Sequence, residues 1–247
     1  MVVNTRIKIL LDPMKRVTIP FNYNYYLSSA IYSRLYSKTA DLIHNSPRFK
    51  FFVFSDLIFS KDRIIDKYGI ITDKPIKWFI GSPYIELLRE LGENLVANPI
   101  IHIGKIKLTV PSITVLKKQK LEDGDNFATI SPICVSKPIV KNGKMQPRFL
   151  RPDTTEFFDY VKKNLLRKYV YYFGKGPENA NFDLEITGPV KERLIQIKNT
   201  NVKAYHMHFT FKGNRKLIEF AFDSGLGEKN SMGFGMVVKD ESNKRII

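Results

Sequence analysis

Cysteine is almost absent from this chain of 247 residues, and Cys134 is its one example. A single cysteine excludes an intrachain disulfide and a zinc site built from cysteines. Hydrophobic runs of membrane-spanning length are also missing, and the N-terminus MVVNTRIKILLD lacks the long apolar core of a signal peptide. We therefore expect a cytoplasmic chain that does not enter a membrane.

Acidic residues are scarce relative to basic ones. The chain has 24 Asp and Glu against 40 Lys and Arg, which gives a formal net charge of +16. Divided after Glu122, the first half has 19 basic and 10 acidic residues and the second has 21 and 14, so the halves carry +9 and +7. An excess spread over both halves indicates a polyanionic partner that contacts both. The plainer alternative is an excess of lysine that reflects genome composition.

Glycine is scarce as well, yet four of the 14 glycines lie in residues 225–237, GLGEKNSMGFGMV. We call residues 225–237 the glycine segment. Glycine adopts positive φ and permits close approach of another backbone or a ligand, so the segment is either a tight turn or a cradle for an anion. It follows a helix pattern and precedes a strand pattern, which is not the position of a dinucleotide fingerprint. It also lacks the Gly-Lys-Ser/Thr of a phosphate loop.

Apolar patterning predicts two successive β-α-β-β-α-β units. The predicted helices, of which the first shows Leu27, Ile31 and Leu35 at four-residue spacing, cover 21–44, 84–98, 153–173 and 214–227. The predicted strands cover 5–12, 48–60, 74–81, 99–116 (as one long strand or two), 126–138, 181–190, 201–213 and 234–240. Residues 48–60 are apolar on both alternating faces, which predicts a central strand.

Two such units predict an α+β fold of two tandem ferredoxin-like (RRM-like) domains, the topology shared by RNA-recognition modules. The expected boundaries are 1–122 and 123–247, with the charged stretch 117–126 as the linker. In the second domain, an Asn-Gly turn within 140–145 predicts a hairpin with lysines on both sides.

The glycine segment resembles the C-terminal glycine-rich signature of the CRISPR repeat-processing endoribonucleases, a family of the RAMP superfamily. IPFNYNYYLSSAIYSRLY (19–36), FKFFVFSDL (49–57) and ISPICV (130–135) match the same family in the same order. The resemblance implies binding of CRISPR precursor RNA and metal-independent cleavage within its repeat, leaving 2′,3′-cyclic phosphate and 5′-hydroxyl ends. It also implies no cofactor, a monomer or homodimer, and a CRISPR effector complex as a further partner.

Cleavage by the ribose 2′-hydroxyl requires a base, an acid and a cation for the phosphorane charge. The resemblance assigns His44 as the general acid–base and Tyr32 as a catalytic tyrosine. It assigns the cation to Lys50 or, if the chain is aligned on Pro47, to Arg48, and we favour Lys50. From the residues alone, His44 could equally be a helix cap and Tyr32 a surface aromatic.

An unbroken helix would separate Tyr32 from His44 by about 18 Å along its axis, so both can serve one phosphate only if the helix breaks. Ser37, Lys38 and Thr39 are the expected position of that break, because a serine or threonine can cap a second helix.

Two regions are expected to bind RNA, a basic hairpin and the glycine segment. The first, which we call the basic arm, is expected to bind phosphates through Lys137, Lys141, Lys144, Arg148 and Arg151. In the second, where we expect the backbone to lie close to a phosphate, the residues are Gly225, Gly227, Lys229, Asn230, Ser231, Gly233 and Gly235.

His206 and His208 alternate on a predicted strand, a spacing that could hold a metal. Without an acidic or cysteine partner nearby in sequence, they favour a strand-surface or RNA-facing role, and we expect no metal site.

Two other functions stay open. The chain could be a catalytically silent subunit that binds repeat or guide RNA, which would need the glycine segment and basic arm but not His44 with Tyr32. A DNA-binding or ribosomal protein of ferredoxin-like fold would explain the charge but not the glycine signature.

Overall fold

The computed structural model describes residues 5–36, 39 and 49–240. Its helices are α1 (Asn24–Tyr32), α2 (Ile85–Ala97), α3 (Thr155–Phe173) and α4 (Arg215–Ser224). Its strands in the first half are β1 (Arg6–Asp12), β2 (Val17–Ile19), β3 (Val53–Phe54), β4 (Ile64–Ile65), β5 (Ile70–Thr72), β6 (Ile76–Gly81), β7 (Ile100–Ile103) and β8 (Ile106–Val115). Those in the second half are β9 (Asn126–Thr129), β10 (Ser136–Lys141), β11 (Lys144–Phe149), β12 (Phe182–Ile186), β13 (Lys191–Ile197), β14 (Thr200–His206), β15 (His208–Gly213) and β16 (Val237–Lys239).

The first half forms an antiparallel sheet in the order β3-β6-β1-β8-β7. Its core contains Leu27 and Ile31 of α1 together with Leu87 and Leu91 of α2, and these helices cover the fully buried Trp78 of β6. The central position of β1 between β6 and β8 is the ferredoxin-like order that the sequence predicts.

The second half repeats this arrangement with the antiparallel order β12-β15-β9-β16. Helices α3 and α4 cover this sheet, with Phe157, Val161 and Leu165 of α3 in the core. Two hairpins, β10–β11 and β13–β14, stand outside the sheet. The prediction of two ferredoxin-like domains is confirmed.

The first helix is shorter than predicted. It ends at Tyr32, and the chain turns away because two side chains of α2 hydrogen-bond the residues that follow. The Glu90 carboxylate accepts from the Tyr36 N–H, and Asn94 Nδ2 donates to the Arg34 carbonyl at 2.7 Å. A continuous helix over 21–44 is therefore wrong. The helix ends five residues before Ser37, the first residue of the expected break. Ser37 and Lys38 lie outside the described residues.

The segment 48–60 is not a central strand. Only Val53 and Phe54 form a strand, at the edge of the sheet next to β6, and Ile58 adds an isolated bridge to Lys77 of β6. The segment is apolar on both faces because it lies between the two domains: Phe51 packs in the core of the second domain, whereas Phe52 and Phe54 pack in the core of the first. Burial between domains and burial at the centre of a sheet give the same sequence pattern.

Two predicted strands are divided. The segment 126–138 leaves the sheet after Thr129, and its middle pairs with the glycine segment instead, through Gly235 N to Pro132 O at 2.9 Å. The segment 201–213 changes partner at Met207, because β14 pairs with β13 whereas β15 pairs with β12 and β9. Among the helices that the structure describes, none is long and apolar enough to cross a bilayer.

Candidate active site

The glycine segment is a tight, buried turn. Its four glycines all have positive φ, between 65° and 81°, and all four are buried. A Cβ on Gly227 would lie 2.4 Å from the Cys134 carbonyl oxygen, and one on Gly235 would lie 1.9 Å from the Leu226 oxygen. Protein atoms thus occupy the positions that side chains would take here, so glycine permits close packing within the protein. Contact of this backbone with a phosphate stays a prediction.

The Asn230 side chain stabilises this turn through hydrogen bonds to its backbone. Its Nδ2 donates to the carbonyl oxygens of Leu226 and Phe234, each at 2.9 Å, and its Oδ1 accepts from Lys168 Nζ at 3.1 Å. Lys168 projects from α3, is 2% exposed, and also donates to the Gly225 oxygen. Burial lowers the pKa of Lys168 to about 7, while the surrounding oxygens favour its charged form.

Helix α1 is attached to the glycine segment at both ends. In its first turn, Asn24 Nδ2 donates to the Met232 oxygen at 3.0 Å. In its last turn, Tyr32 packs edge-on against Phe52, with ring centroids 5.5 Å apart. Burial raises the pKa of the Tyr32 phenol, and a hydrogen bond with the Ser231 side chain opposes this rise. These contacts fix the phenol beside the turn 230–232.

Lys50 lies on the other side of the same turn. It lines a cavity of about 290 Å³ together with Lys168, Lys229 and Ser231. The neighbouring Phe51 has a φ of 50°, a left-handed conformation that is costly for a bulky side chain, and its carbonyl accepts from Ser82 Oγ at 2.7 Å. Ser231 therefore hydrogen-bonds the Tyr32 phenol and lines the same cavity as Lys50.

The third predicted catalytic residue, His44, and the alternative cation Arg48 lie outside the described residues. The choice between Lys50 and Arg48 stays a prediction.

The polar residues of the glycine segment differ in what they can offer a ligand. Asn230 is committed to the turn, and the Glu228 carboxylate accepts from the Ser136 hydroxyl at 2.8 Å and from its N–H at 3.2 Å. Lys229 is exposed. Lys229 is thus the residue of this segment best placed to meet RNA.

The basic arm is the hairpin β10–β11, turned at Asn142 and Gly143 with positive φ at both. Two of its predicted RNA-binding residues have carboxylate partners, Lys137 with Glu156 and Arg151 with Asp153. The other three are exposed and, within the described residues, form no ion pair: Lys141, Lys144 and Arg148.

The two strand histidines face carboxylates that are distant in sequence. His206 Nε2 lies 3.1 Å from Asp56 Oδ2 of the first domain, and His208 Nδ1 lies 2.9 Å from Asp240 Oδ2. The described part of the chain contains no group of three or more His, Cys, Asp and Glu that could hold a metal ion. Sequence reasoning missed these pairs because they form only in the tertiary structure.

Lys168 was also missed, although the sequence carries a signal for it. The buried residues Phe157, Val161, Leu165 and Tyr169 of α3 recur every four positions, and Lys168 lies next to this stripe. A lysine beside the apolar stripe of a helix needs a buried partner.

Comparisons with known proteins agree over nearly the whole chain. Two family models match, "CRISPR-associated protein Cas6, N-terminal" over residues 18–114 and "CRISPR associated protein Cas6, C-terminal" over residues 116–238. The CRISPR-associated endoribonuclease Cas6 1 of Methanocaldococcus jannaschii is 33% identical, over 98% of this chain and 96% of that protein.

Solved structures match equally well. A Cas6-related protein from Pyrococcus furiosus has a TM-score of 0.90 at 29% identity, over 97% of this chain and 100% of that one. A structure described as a RAMP protein binding different RNA substrates has a TM-score of 0.87 at 28% identity, over 96% and 100%.

Proposed function

The chain belongs to the Cas6 family of CRISPR-associated proteins, and we propose that it is an endoribonuclease that cuts CRISPR precursor transcripts within their repeats. The observation that carries the proposal is Ser231, which hydrogen-bonds the Tyr32 phenol and lines the same cavity as Lys50, in a chain with a net charge of +16. Members of the family are named endoribonucleases, and one related structure is described as binding RNA.

The reaction starts with the 2′-hydroxyl next to the scissile phosphate. This oxygen attacks the phosphorus, the bond to the 5′-oxygen breaks, and the products are a 2′,3′-cyclic phosphate and a 5′-hydroxyl. His44 takes the proton of the attacking hydroxyl or supplies one to the leaving oxygen, since an imidazole titrates near neutrality. The ammonium of Lys50 stabilises the charge on the phosphorane oxygens.

Tyr32 acts as a donor in this scheme. Because burial raises the pKa of its phenol, the hydroxyl keeps its proton at neutral pH and cannot serve there as a general base. It donates a hydrogen bond to a phosphate oxygen or to the leaving oxygen. Ser231 holds it in place before RNA binds.

Single-residue variants test these roles in single-turnover cleavage of repeat RNA. His44→Ala should lower the rate by about 10² or more, the scale of one general acid–base group. Lys50→Met and Tyr32→Phe should lower it as well. His44→Ala should bind RNA with nearly wild-type affinity. Lys105→Met is a control on an exposed lysine outside the site.

If His44→Ala cuts at the wild-type rate, the histidine is a cap and the catalytic assignment is wrong. If the wild-type protein binds repeat RNA but does not cut it, the chain is a silent RNA-binding subunit.

A further inference from the structure

Asn164, on α3, has an amide oxygen without a hydrogen-bond donor among the described residues. This Oδ1 is shielded from solvent. Buried polar atoms in native proteins are nearly always hydrogen-bonded, so one without a donor calls for a specific explanation. Since no donor within the described residues holds the amide oxygen, the amide can rotate about χ2 and present its oxygen or its nitrogen to a ligand.

Two adjoining cavities meet at this residue. One is the cavity of about 290 Å³ beside the glycine segment, which Lys50 and Ser231 also line. The other, of about 570 Å³, lies between α3 and the hairpin β10–β11. Asn164 and Glu228 line both cavities, so the two adjoin, and we call them together the α3 groove.

The charges along the α3 groove suit a polyanion. Lys163 and Arg167, one helical turn apart on α3, line the outer cavity, and Lys50 and Lys229 line the inner one. The one carboxylate that lines both cavities, Glu228, accepts hydrogen bonds from Ser136. Cations along both cavities match the phosphates of one strand.

We propose that the α3 groove holds consecutive nucleotides of the RNA beside the cut, and that the Asn164 amide hydrogen-bonds one of them. The proposal rests on the proposed function, because it places these nucleotides next to the phosphate at Tyr32 and Lys50. An amide offers one acceptor and two donors, so its partner is a group with both functions, a base edge or a ribose 2′-hydroxyl. The inner cavity is near the lower end of ligand-pocket volumes, about 300–1,000 Å³, which suits one nucleotide.

The test is a double-mutant cycle between protein and RNA. Repeat RNA is made uncleavable by a 2′-deoxy nucleotide at the cut, and its affinity is measured for the wild type, Asn164→Ala and the control Asn199→Ala, which changes an exposed asparagine in the turn of β13–β14. Further RNAs carry one more change at each flanking nucleotide, either a 2′-deoxy ribose or a base analogue that lacks an exocyclic amine.

At one flanking nucleotide, the wild type and Asn199→Ala should lose about fivefold in affinity when the RNA group is removed, whereas Asn164→Ala should bind the altered and unaltered RNAs alike. Loss with the deoxy ribose identifies the 2′-hydroxyl as the partner, and loss with the base analogue identifies the base edge. Asn164→Leu, which is closer in volume, repeats the cycle if Asn164→Ala does not fold.

The proposal is overturned if every RNA change weakens the wild type and the Asn164 variants by the same factor. In that case the wild type still binds and cuts unaltered repeat RNA, so the proposed function stands. A wild type that does not bind repeat RNA overturns both.

Discussion

At Gly233 the backbone passes the first domain too closely for any side chain. A Cβ there would lie 2.4 Å from Phe54 Cε2 and 2.7 Å from Asn24 Nδ2, and φ is 81°. Gly143, at the tip of the hairpin β10–β11, has a similar φ of 70° but no atom within 4 Å of the same position. Comparing the two glycines therefore distinguishes the cost of left-handed backbone strain from the cost of a packing clash.

Replacing each by alanine should therefore give different losses of stability. Gly143→Ala should cost about 1 kcal/mol, from left-handed strain alone. Gly233→Ala should cost about 1–3 kcal/mol more, because Phe54 or the glycine segment must shift. Urea unfolding measures both, and equal losses would mean that the contact at Gly233 relaxes freely.

Lys168 gives the protein a stability that depends on pH. Its pKa falls from 10.5 to about 7 on folding, because burial disfavours the ammonium. Above pH 7 the folded chain releases a proton that the unfolded chain keeps up to about pH 10, so rising pH stabilises the folded state through this residue.

Lys168→Met should remove this contribution. Between pH 7.5 and 9.5 the unfolding free energy of the wild type should rise relative to that of the variant by up to about 1.4 kcal/mol per pH unit. Lys163→Met, on an exposed position of the same helix, should follow the wild type. Parallel curves for the wild type and Lys168→Met would show that Lys168 keeps its proton throughout.

Among the elements, the hairpin β10–β11 contains one lysine with a carboxylate partner and three exposed basic residues that are predicted to bind RNA. Lys137 is paired with Glu156, while Lys141, Lys144 and Arg148 are exposed. On single-stranded RNA each neutralised phosphate contributes about −0.7 to the slope of log K against log[salt].

Replacing Lys141, Lys144 and Arg148 together by alanine should therefore flatten that slope by about two. A matched change of three exposed basic residues elsewhere, Lys61, Arg63 and Lys67, should leave the slope as it is. An unchanged slope in the hairpin variant would remove the hairpin from the RNA interface.

The elements themselves show what sequence can predict. Helix α3 and strands β1 and β6 follow from local periodicity, since one face of each packs on its own domain. The structure of residues 48–60 could not be predicted from local periodicity. Phe51 and Phe52 pack in different cores, and a segment between two domains has the same apolar pattern as a central strand. The end of α1 was missed for a related reason: Glu90 and Asn94, more than fifty residues away, redirect the chain after Tyr32.

Some residues of the candidate site could be predicted from the sequence and others could not. The resemblance indicated His44, Tyr32 and Lys50 as catalytic residues, and these assignments stay predictions; of the described residues, Tyr32 hydrogen-bonds Ser231 and Lys50 lines a cavity with it. For Lys168 the sequence shows a lysine beside the apolar stripe of a helix, but its partners appear only in the tertiary structure. The amide of Asn164 has no signal in the sequence, because its significance lies in a hydrogen bond that the tertiary structure lacks.

At the scale of the whole molecule, the glycine segment joins the two domains. It belongs to the second domain, forms hydrogen bonds with Asn24 and Tyr32 of α1, and packs against β3 of the first domain. Arg6 of β1 reaches back across the interface and donates to the Val237 oxygen at 2.6 Å. The proposed active site thus lies where the domains meet, and its geometry depends on their packing.

We propose that side chains at this interface cut RNA without a metal ion, and cleavage of repeat RNA in excess EDTA tests this proposal. We expect an unchanged single-turnover rate, an upstream product ending in a 2′,3′-cyclic phosphate and a downstream product beginning with a 5′-hydroxyl. Loss of cleavage in EDTA that a divalent ion restores would contradict it, and would direct attention to His206 and His208 with their carboxylate partners.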